Sequence, residues 1–376
     1  RQAHHGGGKV SAMTHHTAHA TSEPAVRLSG GQGIVAAIPQ LLGFVPTDSL
    51  VLVCLTGPRS RVGPVVRVDL FPPGSTDMVR QLTQHAVRYA DSAVVVCYDD
   101  AGRPACLDPV LEALARGGVP VVSALCVGGG VIREAATARA MADDPGIPML
   151  DQSDPQSQQL AAATVLAGRR VLATRAELAA SIAGPEGPAD DGFRTALADA
   201  RDRFAAILAE SPRDLTVPLS VALDEAFARV VSEDRSPSGV GPHAAADLIV
   251  LIGHIGCRDQ LVARAVGRGD ASAIPALISV ARRCPRDCAA EICAVLAAAA
   301  YRSGDGALAQ CAVDRTLESA PNHRLGNLLR AAFTAGIPPQ SLAALAEIRI
   351  PADQRGAKKP TKSTEQRQRR AISRLS

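Results

Sequence analysis

Asp48 and Ser49 stand side by side in LLGFVPTDSLVLVCL (41–55), and a carboxylate next to a hydroxyl raises the question of an activated nucleophile. A serine nucleophile needs a base within hydrogen-bond reach, and no Gly-x-Ser-x-Gly elbow surrounds this one. Pro46 presets a turn, and an Asp two residues later accepts backbone amides, so the pair reads as the turn that launches a strand. Arg67 and Asp69 lie two apart in a predicted strand and therefore share a face with Val65, while Val66, Val68 and Leu70 share the other. Two opposite charges there form either an exposed ion pair, the favoured reading, or a polar cluster under a cleft. Asp48 is a second carboxylate able to neutralise Arg67.

Asp99 and Asp100 follow one predicted strand, and Gly128, Gly129 and Gly130 follow the next. Open α/β sheets bind ligands outside the carboxyl ends of their strands, which places both loops at the productive edge. Paired carboxylates suit Mg²⁺, and a glycine turn leading into a helix offers amides to an anion, with Arg133 nearby. Against this, Asp-Asp-Ala-Gly-Arg-Pro is also an ordinary turn, and the glycines match neither the dinucleotide nor the Walker pattern. Cys284, Cys288 and Cys293 are separated by three and then four residues, not the two of a zinc knuckle, and no second pair is near; a metal site is not expected. No cofactor is specified.

The elements that must position these groups alternate between strand and helix from Leu28 to about Pro148. Ile34–Leu42 reads as a helix stopped by Gly43, and Leu50–Leu55 as a buried strand. Val62–Phe71 follows as its hairpin partner. A helix over Asp77–Ala90, a strand over Ala93–Tyr98, a helix over Leu107–Arg116 and a strand over Val119–Val127 complete an α/β domain spanning 26–150. From 151 to 350 the periodicity is helical, with Arg170–Ala173 the one doubtful strand and a capping box at Thr174–Glu177. The pair within Cys288–Pro321 has the small-residue spacing of one tetratricopeptide unit.

The composition sets outer bounds. The chain has 376 residues, 47% apolar and 20% charged, with no Trp, three Tyr and six Phe, so Ala, Val and Leu must fill its cores. The net charge of +3 is uneven: 353–376 holds eight Lys or Arg against two acids, leaving a mildly acidic body unsuited to a general nucleic-acid face. Residues 1–25, with five of the nine His, are expected to be disordered, as is the basic segment 351–376. No apolar window approaches the ~20 residues of a membrane span. Cysteines buried in apolar runs (Cys54, Cys97, Cys126, Cys293) point to a reducing cytoplasm rather than a disulfide framework.

The stretches LLGFVPTDSLVLVCL, VGPVVRVDL (62–70), VLAGRRVLATRAELAA (165–180), LIGHIGCRDQLVARA (251–265) and RSGDGALAQCAVDRTLESAPNHRLGNLL (302–329) together resemble an actinobacterial family known as domain of unknown function 4192. The resemblance spans most of 26–345 and implies no activity, substrate or catalytic residue. In that family an aromatic, Cys-containing segment follows the fourth strand; here GGGVIREAATARAMADDPGIP (128–148) has neither.

Three functions follow as expectations. The first is a non-enzymatic binding or scaffold protein that docks a protein partner through its helical half. The second is an enzyme or nucleotide- or phosphate-responsive module with its site at the strand ends. The third is DNA association through the basic tail.

Overall fold

A computed structural model describes residues 10–14, 28–151, 153–166, 170–187, 189–210, 215–267 and 273–342. The chain divides into two compact units, one of residues 1–178 with 304–307, the other of 179–303 with 308–376.

The first unit is built on a mixed sheet. Its strands are β1 (Val10–Thr14), β2 (Ser49–Thr56), β3 (Arg61–Asp69), β4 (Ser92–Tyr98), β5 (Val121–Gly128), β6 (Val131–Glu134) and β7 (Ile147–Pro148). They lie in the order β1-β3-β2-β4-β5-β6-β7. β2 and β3 form the expected antiparallel hairpin, and β4 and β5 run parallel, joined by a helix. The other pairings are antiparallel, so the sheet holds less parallel structure than the alternating pattern implies. β2 and β4 are buried on both faces, which is why they read as continuous apolar runs without alternation.

The helices cover both faces. Leu50, Leu52, Val66, Val68, Val95, Cys97 and Cys126 pack with Met78, Leu82 and Ala86 of α2 (Thr76–Tyr89) and with Leu107, Val110 and Leu114 of α3 (Leu107–Arg116). The opposite face receives α1 (Gly30–Leu42), whose Gly31 sits against Leu125; α1 ends on Gly43 at φ 79°. α4 (Ala138–Asp143) flanks β6, and α5 (Pro155–Leu166) packs on α1. The doubtful strand near Arg170–Ala173 is a single parallel bridge, Phe44 to Leu172. That bridge and the packing of α5 on α1 hold the chain to this unit as far as Leu178, beyond the boundary expected near 150.

Two regions differ from the sequence expectation. Val10–Thr14 lies in the segment expected to be disordered, yet pairs with Val65–Val68 of β3; an edge strand presents unpaired amides and carbonyls that a polar segment can satisfy through its backbone alone. The chain after β5 turns straight back as β6 rather than entering a helix.

The second unit is helical: α7 (Asp191–Glu210), α8 (Thr216–Asp234), α9 (Pro242–Ile252), α10 (Ile255–Gly267), α11 (Ala273–Arg283), α12 (Ala289–Arg302), α13 (Gly306–Ser319) and α14 (Arg324–Thr334). A short α6 (Arg175–Ala180) precedes them, and its capping box forms in shifted form: Glu177 N–H donates to Thr174 Oγ1 at 3.1 Å, while Glu177 Oε2 accepts from Ala173 N–H, one residue before the cap, at 3.0 Å. α12 is buried along Ile292–Tyr301, and its alanines let α10, α11 and α14 close around it. With no Trp available, Tyr301 stacks on Phe333 with ring centroids 4.1 Å apart and donates to Ile337 O at 2.6 Å. The last part of the expected helical span, from 343 to 350, lies outside the described residues, as do the basic tail and His4, His5, His15, His16 and His19. No helix among the described residues is long and apolar enough to cross a membrane.

An ionic group in this unit gives it a pH dependence. His323 caps α14, accepting from Gly326 N–H through Nδ1 at 3.0 Å, and its Nε2 lies 3.1 Å from Glu291, which Arg258 also reaches at 3.4 Å. Burial pushes the Glu291 carboxyl up, but His323 and Arg258 outweigh it and hold it below its ordinary 4.5. A depressed folded-state value means the stabilisation is present above 4.5 and is lost as pH falls through the lower folded value. Urea unfolding of wild type and Glu291→Gln should therefore differ at pH 7 and converge in acid; a gap that stays constant would refute this assignment.

Candidate functional site

The register aligns the candidate residues along one sheet edge. Ser49 opens β2 opposite both Asp69, the last residue of β3, and Tyr98, the last of β4; Tyr98 in turn pairs with Val127 near the end of β5. Asp48, Asp69, Asp99 and Gly128 therefore stand at the ends of four successive strands, spaced ~4.8 Å apart per strand. The row divides into two clusters with different chemistry.

The first centres on Arg67, which is 5% exposed rather than part of a surface ion pair. Its Nε donates to Ser49 Oγ at 2.8 Å, its NH1 meets Asp69 at 2.5 Å, and NH2 donates to Thr47 O at 3.4 Å. Ser49, fully buried, donates onward to Thr47 O at 2.5 Å, and the guanidinium stands 5.9 Å from the Phe44 ring centroid. Burial pulls the Arg67 pKa down, with Asp69 opposing. The favoured exposed pair is thus half wrong: Asp69 is exposed, but β2 and the turn at Thr47 enclose the arginine. Ser49 is a relay in this bonding, accepting from Arg67 and donating to Thr47 O.

Asp69 is the direct ion-pair partner of Arg67, and Asp48 adds a weaker attraction of the same sign. Its own distinction is a left-handed backbone, φ 45°, with its carbonyl accepting from Leu70 N–H at 2.9 Å. Asp tolerates that conformation better than residues without a short polar side chain, and Gly tolerates it at no steric cost. Asp48→Ala should cost about 1 kcal/mol, whereas Asp48→Gly should be near neutral. Chemical denaturation of both variants checks this, and equal losses would show that the side chain matters rather than the backbone.

The second cluster joins Asp99, Asp100 and the glycines. Asp99 Oδ1 accepts from Ala101 N–H at 2.9 Å, and Asp100 Oδ1 accepts from Gly129 N–H at 2.9 Å. A Cβ on Gly128 would lie 2.6 Å from Asp99 O, so the two loops touch backbone to backbone. Gly129 and Gly130 have φ 58° and 75°, the two positive values of the type I′ turn that joins β5 to β6. The glycines thus serve a hairpin, and the helix start required for the anion reading is absent because β6 follows directly. Arg133 lies within β6 opposite Cys126, not beside the turn amides.

One group here escaped sequence reasoning. Tyr98 is 6% exposed, shares the face of Ser49, and its hydroxyl has no hydrogen-bond partner among the described residues. Burial pushes its pKa up, so it remains a neutral donor. A tyrosine ending an apolar strand gives no signal of this from sequence alone. Cys284 and Cys293 are fully buried, and the Cys284 thiol donates to Val280 O at 3.2 Å; no group of potential metal ligands gathers among the described residues.

Fold and site together define an α/β unit with a polar sheet edge, followed in the chain by an all-helical unit. The chain belongs to the family described as domain of unknown function 4192, whose model matches residues 32–340. No curated protein and no solved structure matches it.

Proposed function

We propose that this is a non-enzymatic binding protein whose α/β unit holds an acidic, amphipathic segment of a partner protein. The observation that carries this reading is a surface groove of about 430 Å³ between α2 and α3. Val79, Thr83, Val87 and Ala113 line it, and Arg80, Arg88 and Arg116 stand around them. Val79, Thr83 and Val87 recur every fourth residue, giving a stripe along α2, and Val87 is 53% exposed. Gly117 lets the end of α3 approach, since a Cβ there would meet Val87 at 2.8 Å and Thr83 at 3.2 Å. Among the described residues, only Arg80 of these three has an acidic partner, Asp77 at 2.6 Å. An apolar floor with cationic walls suits a helix that pairs apolar anchors with Asp or Glu.

The bonding at the sheet edge supports the same reading. Arg67, Ser49, Asp99 and Asp100 are engaged by neighbouring protein groups, so among the described residues of this edge the polar side chains serve the fold's own bonding. The helical unit adds exposed Val217 and Val221, one turn apart on α8, and the α12–α13 sequence with tetratricopeptide-like spacing, both suited to a docking scaffold. Nine free cysteines, eight of them buried, are consistent with a reducing cytoplasm.

The test is fluorescence titration with a labelled synthetic helix carrying Leu at helical spacing flanked by Glu. Saturable binding that weakens with salt and falls tenfold or more (~1.4 kcal/mol) in Val87→Asp is expected. Absence of saturation at ~100 µM, or indifference to the substitution, would end this reading. A second reading, small-ligand binding at the strand ends, is favoured by the unpartnered Tyr98 hydroxyl. It predicts a thermal shift with millimolar nucleotides or phosphorylated metabolites that Tyr98→Phe removes.

A further inference from the structure

Three buried thiols gather on the α2–α3 side of the sheet: Cys97 in β4, Cys126 in β5 and Cys106 at the start of α3. Cys97 and Cys126 are register partners on the parallel pair β4–β5, and both side chains point into the same core. Residues directly opposed on neighbouring strands have α-carbons ~4.8 Å apart, inside the 4.4–6.8 Å span that a disulfide accommodates. We propose that Cys97 and Cys126 form a peroxide-responsive thiol pair, reversibly oxidised to a cross-strand disulfide.

The surroundings differentiate the two thiols. The Cys97 thiol donates to the Cys126 sulfur, which holds the Cys126 pKa down and pushes Cys97 up; the Arg103 guanidinium adds to the lowering, while burial, Asp99 and Glu134 oppose it. Arg103 is fixed by a two-point contact with Asp108 at 2.7 and 2.6 Å and by a hydrogen bond to Ala135 O at 3.0 Å. In the proposed pair Cys126, on the side of Arg103, is the thiol that attacks as its thiolate, and Cys97 the thiol that resolves. In the first step the Cys126 thiolate attacks one peroxide oxygen, the O–O bond breaks, hydroxide leaves and takes up a proton to become water, and a sulfenic acid remains. In the second step the Cys97 sulfur attacks the sulfenic sulfur, its proton and the departing hydroxyl form a second water, and the S–S bond closes. Two thiols lose two electrons to one hydrogen peroxide.

Hydrogen peroxide is little larger than water and reaches Cys126, 3% exposed, through local openings. A reducing thiol pool returns the pair to thiols by exchange through the same openings, so the bond acts as a reversible switch. Cys288 provides the internal comparison: it is the one cysteine not fully buried, with burial and Asp287 pushing its pKa up. Exposure alone therefore selects Cys288, whereas pairing selects Cys97 and Cys126.

The experiment treats the folded full-length chain with hydrogen peroxide, alkylates remaining thiols in denaturant and maps the peptides by mass spectrometry. The expected result is a Cys97–Cys126 linked peptide that dithiothreitol reverses, formed before any change at Cys288 and retained in Cys106→Ser. In Cys97→Ser the expected product is a sulfenic acid on Cys126, trapped by dimedone. First oxidation at Cys288, a link involving Cys106 instead, or alkylation of all nine thiols in treated wild-type protein would each overturn the proposal.

Discussion

Arg67→Ala should destabilise the α/β unit by about 3–5 kcal/mol, the loss typical of breaking a buried charged network. Three partners lose their donor at once: the Ser49 hydroxyl, the Thr47 carbonyl and Asp69. Of these, Ser49 is fully buried and cannot turn to water, so its desolvation is left uncompensated. The vacated volume beside Phe44 adds a cavity cost. Asp69 is the contrasting partner, because its side chain is 67% exposed. Asp69→Asn leaves the guanidinium with solvent at that end and should cost only about 1 kcal/mol. Arg67→Met, which refills most of the volume, should fall between them. Urea titrations of the three variants with unchanged m-values measure the series, and equal costs for Arg67→Ala and Asp69→Asn would show that the ion pair, not the buried hydrogen bonding, dominates.

Gly184→Ala should cost the helical unit a comparable 3–5 kcal/mol. A Cβ at this position would fall far inside contact distance of the Cys284 carbonyl oxygen, a backbone atom that no rotamer change can move. Arg315 stands at the same junction, donating to Ile182 O, to Ala281 O at 2.8 Å and to Cys284 O at 2.7 Å. Either α11 shifts or the segment around Ile182 lifts away. The second route exposes Ile182, now 1% accessible, at about 2–3 kcal/mol, and removes one charge-assisted hydrogen bond at about 1.5–3 kcal/mol. Arg315→Met should reproduce most of this loss without any clash. If Gly184→Ala is severe while Arg315→Met is mild, the close backbone approach alone holds the junction.

Much of this architecture follows from the chain itself. Leu50–Leu55 and Ala93–Tyr98 are apolar runs too short for helices, bounded by turn residues, and they become the central strands. The amphipathic spacing of Leu107–Arg116 defines α3 to the residue, and Gly43 ends α1 in the left-handed conformation that glycine adopts freely. The family, too, is legible in LLGFVPTDSLVLVCL and its companion stretches. Local signals succeed here because they depend on periodicity and backbone preference within a few residues.

Only the tertiary structure decides what the polar groups do. The sequence establishes that Arg67 and Asp69 share a face, but whether that face is open depends on β2 and the Thr47 turn lying across it. The glycines at 128–130 leave both an anion-binding turn and an ordinary one open until β6 returns along β5. Tyr98 and the Cys97–Cys126 pair gain their character from partners on strands 29 or more residues away, through a register that no linear spacing encodes. Composition and periodicity thus determine the central strands and most helices, while β1 and β6 exist through pairing with neighbours. Burial and charge environment, on which chemistry depends, arise only when those segments are laid side by side.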